Sequence, residues 1–105
     1  MSVAATGFED AASKADHFRR QGEDFAAESE AEYQEMARGF LNGPLTATAV
    51  RCIRRGNGDL IRYDKATEAF AVMRNDGIIK TFYKPQVNWH GFLSNLAYFQ
   101  AECAK

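Results

Sequence analysis

Phe70-Ala71-Val72-Met73-Arg74-Asn75-Asp76-Gly77-Ile78-Ile79-Lys80-Thr81-Phe82-Tyr83-Lys84-Pro85 is two apolar, aromatic-rich runs on either side of Asn75-Asp76-Gly77. Asp-Gly tolerates positive φ, so this spacing predicts a hairpin with strands at residues 70–74 and 78–84. Pro85 cannot donate to a ladder and ends the second strand. Upstream, residues 60–63 form a short apolar run and Asp64-Lys65-Ala66-Thr67 reads as a turn. Residues 45–53 alternate and are rich in Thr and Val, then break at Arg54-Arg55-Gly56-Asn57-Gly58-Asp59. Arg54 and Arg55 are expected at a solvated hairpin tip. Downstream, residues 86–91 read as a loop. Phe92, Leu96, Phe99 and Cys103 then follow at helical spacing.

The amino-terminal part changes period. From Phe8, the residues Ala12, Ala15, Phe18, Gly22 and Phe25 are spaced as on a helix, and Gly22 is its expected end. Lys14, His17 and Gln21 share a neighbouring face of that helix. Ser29 followed by Glu32 is a capping box, and Tyr33, Met36, Ala37, Phe40 and Leu41 make one apolar stripe. Asn42-Gly43-Pro44 stops this second helix. The expected fold is α+β: two N-terminal helices packed on a roughly four-stranded antiparallel sheet, with a short C-terminal helix and the helices segregated on one side. Residues 1–7 are expected to be a tail or linker and residues 8–105 a single domain.

With 105 residues, 46% of them apolar, the chain suits one globular domain. Its apolar runs fall far short of the roughly 18 residues that cross a bilayer. No basic start followed by an apolar run marks a signal peptide, so a soluble domain without its own export signal is expected. The net charge of −1 conceals a polarity: residues 1–50 hold four basic against nine acidic side chains, and residues 51–105 hold nine against five. Such a balance argues against indiscriminate nucleic-acid binding and in favour of a local basic pocket. Cys52 and Cys103 form no Cys-x-x-Cys pair and no zinc spacing with His17 and His90. They read either as two buried thiols or as a disulfide tying the chain's end to the sheet.

No metal-ligand set, Gly-rich phosphate loop or Gly-x-Ser-x-Gly elbow occurs. The remaining chemistry is His, Arg, Lys, Thr and Tyr. That set suits RNA cleavage, in which the substrate's own 2′-hydroxyl attacks. The protein must remove one proton, stabilise the phosphate and protonate the leaving oxygen.

Taken in order, His17-Phe18, Gly22, Phe25, Glu32-Tyr33, Ala37 and Phe40-Leu41 carry a family resemblance. It continues through Arg62-Tyr63-Asp64, Thr67, Phe70, Val72, Asp76-Gly77, Ile79, Thr81-Phe82 and Lys84-Pro85, and ends at Tyr98-Phe99. Over residues 14–101 the chain resembles the C-terminal toxin domains of contact-dependent growth inhibition (CdiA-type) and other polymorphic toxins. These are assigned to the barnase–EndoU–colicin–RelE-like group of ribonucleases. The resemblance implies a metal-independent, cofactor-free ribonuclease, often acting on tRNA and leaving a 2′,3′-cyclic phosphate. It also implies the C-terminal part of a secreted or cell-surface toxin, acting in the target cell's cytoplasm and silenced by a cognate immunity protein. Charge adds that this partner should be acidic and cover the site. Carried over by residue, His17 is the acid or base, Thr81 contacts the phosphate, Arg62 and Lys84 supply charge, and Tyr98 offers a hydroxyl. Gln21 and His90 are additional candidates. Related sequences often carry His-Gly where this chain has Gln21-Gly22. Gln21 cannot exchange a proton at neutral pH, so the resemblance implies an impaired chain if the family's essential histidine is the one at position 21, and an active one if His17 suffices. The rival expectations are a non-catalytic RNA- or protein-binding module and a toxin acting on DNA.

Overall fold

The computed structural model describes residues 3–105. Asp10 opens the first helix, α1 (Ala11–Gln21), by accepting the Ser13 N–H at 2.7 Å. The helix begins after Phe8, not at it, because Phe8 belongs to a strand. Gly22 follows α1, and the position takes a glycine for a steric reason: a Cβ there would lie 2.6 Å from the Phe18 ring. A 3₁₀ turn follows (Gly22–Phe25) and ends at Ala26, which adopts the left-handed region at φ 54°. In the second helix, α2 (Glu30–Asn42), the Ser29 hydroxyl accepts the Glu32 N–H at 3.1 Å, the predicted cap. Tyr33, Ala37 and Leu41 of the predicted stripe are buried.

The sheet has five strands: β1 (Gly7–Phe8), β2 (Ala49–Ile53), β3 (Leu60–Asp64), β4 (Phe70–Met73) and β5 (Ile78–Tyr83). Their order is β1-β5-β4-β3-β2, and β1 runs parallel to β5. This corrects the expected four-stranded antiparallel sheet to a mixed one. It also corrects the expected tail, since Ala5 is buried and Thr6 N–H donates to the Gly77 carbonyl at 2.9 Å. Met1 and Ser2 lie outside the described residues. The β4–β5 hairpin turns where predicted, with Gly77 at φ 94°. Its register slips once: Val72 faces Thr81 but Met73 faces Ile79, which leaves Lys80 as a bulge. Ile79 and Phe82, three residues apart, consequently share one core.

Helices cover both faces of this α+β domain, not one. On the first face, Tyr33, Ala37 and Leu41 of α2 pack on Ala71, Met73, Ile79 and Phe82. The Tyr33 hydroxyl donates to the Phe82 carbonyl at 2.5 Å. On the second face, Tyr98 and Phe99 pack on Ile61, Tyr63, Phe70 and Val72. They lie on the last helix, α4 (Asn95–Ala104), which is preceded by the single turn α3 (Val87–His90). Ser94 caps α4, so Phe92 stands outside the helix and drops from the predicted stripe. The loop expected at residues 86–91 contains α3 and ends at Gly91, whose φ is 78°.

Two devices fasten α4 to the β2–β3 end of the sheet. Cys52 and Cys103 form a disulfide, which decides between the two readings of the cysteines. The bridge spans 51 residues; in the chain-entropy model such a loop is worth about 4 kcal/mol. Arg54 is not at a solvated tip. It donates to Asp59 (3.2 Å), to the Glu102 carboxylate (3.0 Å) and to the Glu102 carbonyl (3.1 Å). Asp59, almost wholly buried, also receives Lys80 at 2.8 Å. No helix among the described residues is long and apolar enough to cross a membrane.

Candidate functional site

The residues predicted to act together are divided by the sheet. His17 lies in the layer of α1, its ring stacked on Phe8 at 5.1 Å. Thr81 faces Val72 directly across the β4–β5 ladder, so it shares the α4 face with Val72. One groove cannot hold both side chains. The Lys80 bulge is the cause, because it resets which face each following residue of β5 occupies.

Arg62 is also engaged elsewhere. It is 5% exposed and donates Nη1 to the carbonyls of Phe40 and Gly43, both at 2.8 Å, so it caps the end of α2. Tyr98 is buried, and its hydroxyl pairs with the Tyr83 hydroxyl at 2.5 Å instead of standing free. Burial pushes the Tyr98 phenol above its ordinary range, against the pull of the Tyr83 bond. His90 stacks on Tyr98 at 4.5 Å with the rings nearly parallel. Its Nδ1 accepts the Phe92 N–H at 3.0 Å, which leaves Nε2 as the donor to Asn95 Oδ1 at 2.8 Å. Both nitrogens are therefore spent, and His90 is fixed in place beside Trp89.

What the fold does bring together is a cleft of about 430 Å³ between the C-terminal end of α1 and the segment after β5. Arg20, Gln21 and Asp24 line one side, and Lys84, Gln86 and Trp89 the other. Tyr83, Pro85 and Asn88 complete it. Thus Gln21 and Lys84, two of the predicted candidates, meet here. Lys84 Nζ lies 5.4 Å from the centroid of the Phe25 ring. Arg20 is held by Asp16 at 2.8 Å, on the preceding turn of α1. Asp24 offsets part of the positive charge. Trp89 is 64% exposed and meets Tyr83 edge-on at 6.0 Å. Three kinds of recognition group therefore share one recess: an aromatic surface, amides and cations.

His17 stands one turn before Arg20 and Gln21 on the same helix but does not line the cleft. Burial, then the charge of Arg20, lowers its pKa, while Asp16 opposes the shift. The ring is held neutral near pH 7, the state a proton acceptor needs. Its buried Nδ1 has no partner.

Arg20, Gln86, Asn88 and Trp89 were not singled out by sequence reasoning as site residues. A usable signal existed: the chain's one tryptophan lies in a polar stretch straight after the proline that ends a strand. Comparison of the chain with protein-family models and with curated proteins finds no match.

Proposed function

We propose that the protein is a bacterial toxin domain that cleaves RNA, tRNA above all, by 2′-hydroxyl attack without a metal. The observation that carries this reading is the cleft at Arg20, Gln21, Lys84 and Trp89. It joins the start of the sequence series that resembles the toxin ribonucleases to the Lys84-Pro85 step of that series. Exposed aromatic rings stack bases of any sequence, and Arg or Lys beside them holds the backbone. In this arrangement Lys84 and Arg20 bind phosphate and Trp89 stacks a base within the cleft. The proton acceptor is neutral His17, one turn back along α1 and outside the cleft's lining, so the RNA must run past Gln21 to reach it. The leaving 5′-oxygen takes its proton from solvent. Tyr98 acts as a positioning residue by holding Tyr83. The disulfide supports passage through an oxidising compartment, as for a secreted toxin acting in another cell's cytoplasm. An acidic immunity protein covering the cleft is the matching partner.

The test is total RNA incubated with the purified, disulfide-bonded protein in EDTA. Fragments ending in 2′,3′-cyclic phosphate are expected, and Lys84→Ala or His17→Ala should reduce their yield at least tenfold. Intact RNA at high protein concentration would overturn the catalytic reading.

A second reading has its own support: both nitrogens of His90 are occupied, and His17 rests against Phe8. That arrangement suits a domain that grips RNA without turnover. Stoichiometric binding unchanged by His17→Ala would select it.

A further inference from the structure

On the α2 side of the sheet, beyond the end of α2, a second recess of about 380 Å³ opens over β2 and β3. Arg51 and Arg62 line it and face each other directly across the ladder. Like charges in opposed positions repel, and burying a guanidinium without a counter-charge is costly. Arg62 carries both burdens. It is 95% buried by its 5% exposure, its Nη1 is spent on two neutral carbonyls, and its Nε has no partner. Among the described residues, no carboxylate forms an ion pair with either arginine. Asp64, on the same strand, uses its carboxylate on the Thr48 hydroxyl (2.7 Å) and the Ala66 N–H (2.9 Å). Burial, then the neighbouring charge of Arg51, depresses the Arg62 pKa, as expected of a cation awaiting an anion.

We infer that Arg51 and Arg62 form a binding site for a phosphate monoester. Two positive charges match the charge of nearly −2 that such a group carries at neutral pH better than they match a single carboxylate. Arg offers donors in a planar fork suited to its oxygens. Leu41, Pro44, Leu60 and Met73 wall the recess and would pack against the organic part of the ester. No aromatic ring lines it, so the site takes a phosphate and its immediate carbon neighbours without base stacking. The site stands apart from the Lys84 cleft and does not depend on the ribonuclease reading.

The experiment titrates inorganic phosphate against the whole protein at pH 7.5 and constant ionic strength, following thermal unfolding and calorimetric binding. Arg51→Ala is the test variant, because Arg51 is exposed and its loss leaves the Arg62 cap in place. Saturable stabilisation that weakens at least tenfold in Arg51→Ala and persists in Lys84→Ala supports the site. No saturable binding, equal binding to Arg51→Ala, or acetate binding as tightly as phosphate overturns it. A 5′-phosphorylated oligoribonucleotide and its 5′-hydroxyl twin separate the sources. Displacement of phosphate by the first alone identifies nucleic-acid ends as the occupant. If neither displaces it while inorganic phosphate still binds, the occupant is a small free ester.

Discussion

Arg62 and His17 show how much a single side chain decides here. Arg62 holds two carbonyls at the end of α2, and its removal leaves both without their donor. Arg62→Ala is expected to cost about 3 kcal/mol in denaturant unfolding, whereas exposed Arg51→Ala should stay within about 0.5 kcal/mol. Equal effects would contradict the capping role. His17 gives a pH signature. Its folded pKa is depressed below the unfolded value near 6.5. The unfolded chain therefore binds the proton more readily, and stability falls as pH drops from 6.5 through the folded pKa. Melts from pH 7.5 to 5 should show that fall, and His17→Gln should flatten it. At this scale the sequence was only partly legible. The shared helix of His17 and Gln21 was readable from their spacing. The burial of Tyr98 was not, because the Ser94 cap sets the phase of α4 and moves Tyr98 onto the core face.

Between elements, legibility followed the range of the interactions. The β4–β5 hairpin and the start of α2 are local: Asp76-Gly77 and Ser29 act on backbone a few residues away. The strand β1 is two residues long, and its parallel partner is some seventy positions distant, so no periodicity announces it. The Lys80 bulge is equally silent, yet it sends Thr81 to the face opposite His17 and dissolves the predicted pair. The attachment of α4 also joins distant parts of the chain, through Cys52–Cys103 and the Arg54–Glu102 contacts. Reduction, or Cys52→Ser with Cys103→Ser, should lower unfolding stability by about 4 kcal/mol at most. Hydrogen exchange should quicken first in α4, since Tyr98 and Phe99 carry most of its remaining packing. Uniform quickening across all elements would mean that the bridge does not fasten α4 in particular.

For the molecule as a whole, the acidic first half and basic second half do not become two opposed surfaces. Five acidic residues of the first half (Asp10, Asp16, Glu30, Glu32 and Glu35) lie at the capped starts of α1 and α2 or in ion pairs on them, while Asp24 enters the cleft itself. The positive potential is therefore local, at Lys84 and Arg20, and at Arg51 and Arg62. RNA binding should be moderate and salt-dependent. Lys84→Ala should lower the slope of log affinity against log salt by about 0.7, one single-strand phosphate contact. The one tryptophan, Trp89, stands in the cleft and reports directly on its occupancy. Titrating tRNA into the protein while following tryptophan fluorescence should give saturable quenching that Lys84→Ala weakens. RNA that is bound or cut with the Trp89 signal unchanged would place the substrate elsewhere on the molecule.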